Sequence, residues 1–461
     1  MTAPGTAVVA RFPEARSRRA RARAKAARWS LPEICAFAAS VFILLTYSQG
    51  WELPLVGGGD ETAHSELLRN LFLPAYAAGV FLMALTPLSL ARGLIRQPFL
   101  IALVGVACIS WFWSVSPDQT SRRIFALTFT TLGGAVLAAR YSWARLAEVL
   151  GVSFAILAVA SLIAALFAPS IGRMSDIFPG AWRGLWEEKN GFGDNMAMGA
   201  GICAAAALLN PRRAGVWWSV ALLSFLLVLM STSKTSLISV LLAGGALTLV
   251  WAVRRGPAAG VAASWAAVAG LALIGAVAFF ASDLVFGLLG KDATLTGRTQ
   301  IWAAVMRQID QRPWLGFGYA AIWDEAPGQW GPMAWIVHDA GFRPHHAHNA
   351  WLEQWLALGV PGLAAWACCF GQTLVANIVA LYRDKGAYLA LPFFVVFALT
   401  SLTESIAVQY NDMRWVLFVA LAVKLALPDP PPRRPRAPRA LGASADPRRA
   451  LGHSHRLEPV R

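Results

Sequence analysis

The sequence predicts an all-α, polytopic membrane protein of about twelve transmembrane helices with one long loop on a single face. Three observations lead there. Of the 461 residues, 57% are hydrophobic and only 14% are charged, whereas a soluble domain carries about a quarter charged residues. Continuous apolar stretches, each near the roughly 20 residues that cross a bilayer, recur along most of the chain. The short connections between them alternate in charge.

In lipid a backbone must satisfy its own hydrogen bonds, which leaves helices and closed barrels. The apolar runs here are continuous rather than alternating, so they select helices. The expected segments are 32–49, 71–90, 97–114, 121–139, 146–168, 192–210, 215–231, 235–253, 259–281, 349–382, 386–404 and 413–427. Segment 349–382 exceeds one crossing, and Gly359, Pro361 and Gly362 are placed to break it. A basic stretch precedes the first segment, as in a signal peptide. It is long and no small-residue cleavage site follows, so the first helix reads as retained.

With the N-terminus inside, the five inner loops carry Arg92 and Arg96, Arg140 and Arg145, Arg212 and Arg213, Arg254 and Arg255, then Arg383 and Lys385. Each is a basic pair, as the positive-inside rule requires. The inner segments hold 27 Lys and Arg against 7 Asp and Glu, and the outer ones 13 against 18, accounting for all 40 basic and 25 acidic residues. The net charge of +15 is therefore concentrated in two tails, 1–30 and 428–461. Both read as disordered, suited to an anionic cytoplasmic leaflet and not to nucleic acid. The organisation that follows is tail 1–30, helices one to nine over 31–281, an outer loop over 282–348, helices ten to twelve over 349–427, and tail 428–461. Five cysteines lie in apolar segments at no metal spacing, so neither disulfides nor a metal site is inferred.

The long loop is rich in Trp, Gly and Pro without being low-complexity, which marks an ordered functional loop. Within it TGRTQIWAAVMRQIDQRP reads as an amphipathic helix with Ile301, Trp302, Val305, Met306 and Ile309 on one side. Pro313 ends it, and Gly316 and Gly318 mark turns.

Several outer cations go beyond what topology explains: Arg122, Arg123, Arg183, Lys189, Lys234 and Arg298. Guanidinium forks and ammonium groups are what a diphosphate requires. The alternative for each is an ion pair with an outer carboxylate such as Asp118, Glu187, Glu188 or Asp194. PHHAHNAWLEQW places His345, His346, His348, Asn349 and Glu353 where the loop meets helix ten. A neutral imidazole there suits a general base towards a sugar hydroxyl; the alternative is structural capping of the helix. No HExxH or comparable spacing points to metal. Glu404, at membrane depth, either serves the site or pairs with an outer Arg. Trp182, Trp186, Trp302 and Trp314 either belong to the interfacial belt or stack on sugars.

These motifs resemble the O-antigen ligase and Wzy-type polysaccharide polymerase family. The pattern is TGRTQIW, RPWLGFGY and HHAHNAWLEQWLALGVPG, preceded by SWFWSVSPDQTSRR, WRGLWEEKNGFG and STSKTS. The resemblance covers about residues 100–405 and implies a GT-C-type glycosyltransferase, multi-pass in the bacterial inner membrane, with both termini cytoplasmic and a periplasmic active site. It implies no cofactor and no metal. The donor would be an undecaprenyl-diphosphate-linked glycan and the acceptor another glycan or lipid A–core; a chain-length regulator is a further candidate partner. Carried onto this chain, Arg298 matches the Gly-Arg motif and His348 the His-Asn motif, with His346 the other catalytic candidate. Arg122, Arg123, Arg183, Lys189, Asn349, Glu353 and Glu404 are candidates for binding the diphosphate or glycan. His345 and the Trp-rich stretch 323–343 match no part of the pattern. A polymerase is the leading reading and a ligase its alternative. A transporter is the alternative of another class, opposed by helix inner halves almost free of charge and by the lack of matching halves.

Overall fold

The computed structural model describes residues 30–56, 70–175, 178–280, 298–323, 345–427 and 429. Both expected tails beyond Ser30 and Asp429, residues 281–297, and nearly all of the Trp-rich stretch lie outside the described residues. The chain divides into two units, Met1–Pro428 and Asp429–Arg461, and every helix below belongs to the first.

Fourteen helices of nine or more residues are described. They are α1 (Leu31–Tyr47), α2 (Leu73–Leu85), α3 (Pro87–Ile95), α4 (Pro98–Ile109), α5 (Pro117–Arg140), α6 (Trp143–Phe167) and α7 (Lys189–Leu209). There follow α8 (Ala214–Ser231), α9 (Lys234–Val253), α10 (Pro257–Phe280), α11 (Arg298–Gln311), α12 (Ala350–Arg383), α13 (Ala387–Ser401) and α14 (Met413–Ala426). The only β feature among the described residues is the bridge between Arg173 and Trp182.

Each of the twelve expected segments contains a described helix, but length and composition qualify only five as membrane spans, or six if the bent pair α2–α3 counts as one. The segment expected as continuous over 71–90 is in fact broken at Thr86, where α2 and α3 meet at 96°. Pro87 explains the break, because it lacks an N–H and its ring excludes a preceding helical turn. Several other segments form apolar helices of only 12–17 residues, such as α4 and α13, too short to span alone.

α12 is unwound at Gly359, whose φ of 65° and ψ of −161° only glycine adopts without strain. The freed carbonyls are not orphaned. Phe317 and Gly318 donate their N–H groups to Leu356 and Ala357 at 3.1 and 2.9 Å, and Val360 donates to Pro313 at 3.1 Å. The broken helix and the turn after α11 thus satisfy each other's backbone, as irregular chain must wherever water is excluded.

At the centre runs α7, with 89% of its apolar window buried, packed on α6, α8, α9 and α13. Its GAGICAAAALL sequence explains this: small side chains let neighbouring backbones approach, the usual basis of helix association in lipid. α14 is equally enclosed, against α5 above all. There Gly134 lies so close that an added Cβ would stand 2.5 Å from the Val416 carbonyl oxygen. Outward faces are apolar, as at Leu222, Leu226, Val261 and Trp265, which is what a lipid-facing helix requires.

The two ends of the bundle differ. At one, basic-pair loops gather. Arg145 and Arg213 both reach Glu148, at 2.6 and 3.4 Å. Trp143 Nε1 donates to Asp384 at 3.0 Å, and Arg254 donates to the Asp384 carbonyl. At the other, Trp186 Nε1 donates to the Ser48 carbonyl (2.9 Å) and Tyr319 OH to that of Val408 (2.7 Å).

Gly134→Leu should overpack the α5–α14 contact and lower stability by about 1–3 kcal/mol, read as a fall in thermal midpoint of the detergent-solubilised protein. Gly245→Ala, where a Cβ meets nothing within 4 Å, should leave the midpoint unchanged or slightly raised.

Candidate active site

The functional end is built by three segments: the start of α11, the turn before α12, and the turn after α13. α11 begins at Arg298 and buries Ile301, Ala304, Val305, Gln308 and Ile309. Trp302 is partly buried against the same cluster, while Met306, expected on the buried side, is 38% exposed. Trp302 Nε1 donates to the Ala347 carbonyl at 3.0 Å. That bond sets α11 in register with the histidine turn.

Glu353 organises this turn. Its buried carboxylate accepts from Ala347 N (2.7 Å), Ser405 Oγ (3.0 Å) and Trp323 Nε1 (2.6 Å). Asn349 caps α12, with Oδ1 accepting from Trp351 N (2.9 Å) and Leu352 N (3.1 Å), the usual N-cap geometry. His348 stands just before the cap with φ 48°, a left-handed conformation that costs a side-chain-bearing residue free energy and clusters at functional sites.

The result is a relay centred on Glu404. Arg298 Nη2 donates to Glu404 Oε1 at 2.7 Å, and His348 Nδ1 lies 2.9 Å from Oε2. The side chains of Arg298, His348 and Glu404 are 15%, 24% and 16% exposed, so the trio is mostly withdrawn from water yet still reachable. An ionised Glu404 fixes the imidazole with its proton on Nδ1 and leaves Nε2 as the basic nitrogen.

His346 is different in kind. Its ring lies 4.1 Å from that of His348, centroid to centroid, and its Nδ1 accepts the His348 backbone N–H at 3.2 Å. The proton of the neutral ring is therefore on Nε2. Burial, and then the neighbouring His348, push its pKa down to about 3. His346 is thus a neutral N–H donor at ordinary pH.

His346, His348 and Glu404 offer atoms within 4.8 Å of one another. Both Nδ1 atoms and both carboxylate oxygens are already engaged, and the Arg298 cation sits on the carboxylate. The donor set therefore fits a hydrogen-bond relay better than a cation cage.

The other predicted residues stand elsewhere. Arg123 donates to the Ala320 carbonyl and lies 5.7 Å from the Tyr410 ring centroid, tying α5 to two functional-end turns; Arg122 is exposed. Arg183 uses Nε and Nη2 on the Ile171 and Ser170 carbonyls, both at 2.8 Å. Lys189 reaches Thr232 Oγ1 at 3.5 Å and covers Phe178. Arg414, Asp412 and Asp194 were not singled out for the site. Arg414 and Asp412 pair at 2.5 Å, and Asp194 accepts from Ser236 Oγ at 2.8 Å. The available signal was Arg414 itself, a cation at the first turn of a helix.

Apolar outer faces around a polar centre at one end define an integral membrane protein with a withdrawn Arg–Glu–His relay. Residues 219–367 match the family model described as O-antigen ligase, a span that includes Arg298, His346 and His348 but not Glu404. The chain is also 26% identical over 278 residues to the exopolysaccharide production protein ExoQ of Rhizobium meliloti (strain 1021), covering 58% of this chain and 61% of that protein. Both findings support an O-antigen ligase/Wzy-type family, as the motifs suggested.

Two outcomes follow. Glu404→Ala leaves the Arg298 cation unpaired and should cost on the order of 2–3 kcal/mol, near the low end for a buried pair, read by thermal unfolding in detergent. For His346, the unfolded chain binds a proton below pH 6.5 that the folded site refuses until about pH 3. Stability therefore falls as pH falls through that window. His346→Gln should flatten the slope between about pH 6.5 and 4.5 in the same melts.

Proposed function

We propose that this protein is a membrane glycosyltransferase that moves an undecaprenyl-diphosphate-linked glycan onto an acceptor hydroxyl, most simply in polymerising exopolysaccharide or O-antigen repeat units. The observation that carries the reading is the Arg298–Glu404–His348 relay, which puts an anion-binding fork on one oxygen of a carboxylate and, on the other, the Nδ1–H of an imidazole whose basic nitrogen is Nε2.

In this reading His348 Nε2 takes the acceptor proton while the acceptor oxygen attacks the anomeric carbon. The bond from that carbon to the diphosphate breaks, and the diphosphate leaves with the electron pair. Arg298 stabilises the departing charge, since a guanidinium offers five N–H donors and Glu404 engages one of its nitrogens. Preorganised donors of this kind act where charge develops. Glu404 holds the imidazole tautomer and stabilises the imidazolium that forms, as the carboxylate does in other His–carboxylate pairs. The reaction needs no metal in this scheme, because both charge changes have a protein partner.

The basic-pair loops at the opposite end support a topology in which the relay faces the periplasm of an inner-membrane protein with cytoplasmic termini. About twelve crossings, a GT-C-type arrangement and the domain limits drawn from the sequence belong to this reading. The name of the relative supports exopolysaccharide as product. The description of the family model supports the ligase alternative, in which lipid A–core accepts the chain.

The test is glycan transfer by purified protein in liposomes with a lipid-linked donor. His348→Ala should lower the rate by about 10²–10⁴-fold and Arg298→Ala by about 10²–10³-fold, with both variants still folded. Full activity in both would refute the assignment. Deleting the gene separates the alternatives: shortened glycans on the lipid carrier mark a polymerase, and full-length glycan stranded on its carrier marks a ligase.

A further inference from the structure

The carboxylate of Glu353 does more than a helix start requires. Glu353 follows Leu352 in the first turns of α12, whose N-cap is Asn349. The acid of a capping box stands three residues after the cap, a place held here by Leu352. Asn349 Oδ1 already makes the cap. A carboxylate that only answered the helix dipole would do so from water. Glu353 is instead 6% exposed, and a buried charge is costly unless it is paired and hydrogen-bonded.

Its bonds flank both halves of the relay. Oε2 accepts the N–H of Ala347, the residue before His348, at 2.7 Å. The same oxygen accepts from Oγ of Ser405, the residue after Glu404, at 3.0 Å. Ser405 Oγ in turn accepts the N–H of Asn349, the residue after His348, at 3.3 Å. A serine hydroxyl has a single proton to donate, and this one is committed to Glu353. His348 thus hangs between two backbone N–H groups that end on one carboxylate–hydroxyl unit, and Glu404 is joined to that unit through its peptide bond to Ser405. A further tie between the two turns runs from Asn349 Nδ2 to the Leu402 carbonyl at 3.4 Å.

His348 shows what this circuit resists. Its φ of 48° is a strained conformation for a residue with a side chain, and such strain persists only where the surroundings over-determine it. A relaxed φ would carry the ring off Glu404 Oε2, which lies 2.9 Å from Nδ1.

We propose that Ser405 and Glu353 are positioning residues that lock the His348 turn against the Glu404 turn, so that Nδ1 stays on Glu404 and Nε2 stays open to an acceptor hydroxyl before any substrate binds. The inference deepens the glycosyltransferase reading and rests on it for the identity of the acceptor. Both residues act through His348 and Glu404, as preorganising groups do.

The test is magic-angle-spinning NMR of the full chain in phosphatidylcholine bilayers, with histidine carrying the heavy nitrogen isotope. It reads the tautomer without any substrate. The chain has 7 histidines, and the His348 lines are those that vanish in His348→Gln. At about pH 8, where an ordinary imidazole is neutral, the unaltered protein should show the His348 proton on Nδ1. Ser405→Ala should replace that line with a mixture of tautomers. It should also slow glycan transfer by about 10- to 100-fold, with the KM for the lipid-linked donor unchanged. Glu353→Gln keeps an oxygen for Ala347 N and Ser405 Oγ and should retain the Nδ1 line; Glu353→Leu keeps none and should lose it. If thermal unfolding shows that Glu353→Leu does not fold, Ser405→Ala decides. In a His348→Ala background Ser405→Ala should cost no further activity, because it acts through the ring. An unchanged His348 line in folded Ser405→Ala, or an equal further loss beside His348→Ala, would overturn the proposal. A Ser405-dependent tautomer in a protein that transfers no glycan leaves this inference standing and removes the glycosyltransferase reading. Transfer that persists while the tautomer ignores Ser405 does the reverse.

Discussion

A carboxylate largely withdrawn from water cannot stay ionised alone, and the functional end of this protein is organised by that constraint at Glu404, whose side chain is 16% exposed. An unpaired charge there costs several kcal/mol. The chain meets the demand with two partners from distant segments, Arg298 at 2.7 Å and His348 at 2.9 Å. Three pieces of backbone must therefore arrive together, and much of the local structure serves that meeting. Trp302 bonds to the Ala347 carbonyl, Glu353 gathers the histidine turn, and Asn349 caps the helix that follows.

The same demand for partners explains why polar groups both at the relay and away from it are used internally. Glu353 resembles a binding residue in sequence, yet it accepts three hydrogen bonds from its own loop. Arg123 and Arg183 spend donors on backbone carbonyls of the turn at Ala320 and of the single helical turn Pro169–Gly172. In water such carbonyls would cost nothing. At the edge of a bilayer each needs a partner, and long basic side chains supply it. The broken α12 follows the same rule, with Leu356 and Ala357 receiving their donors from the turn after α11.

Packing decides how near these elements come. Small residues along α7 and Gly134 on α5 let backbones approach closely. With no hydrophobic driving force between helices in lipid, close contact is what makes association favourable. The bundle so formed holds Arg298 at a helix start and His348 and Glu404 on turns.

Much of this was legible in the chain. Continuous apolar runs, basic pairs in alternate loops, the break at Gly359 and the helix opening at Arg298 all depend on local composition, and local composition is what a sequence displays. Arg298 and His348 are marked by the TGRTQIW and HHAHN patterns, and Glu404 by its place at the end of an apolar helix. The kink at Pro87, the outward turn of Met306 and the Arg414–Asp412 pair carry no such mark. A sequence determines which residues are costly to leave unpaired; only the tertiary structure decides which partners they find. Coulomb and hydrogen-bond energies depend on distances of a few ångströms between residues as far apart in the chain as Arg298 and Glu404, and no local pattern encodes those distances.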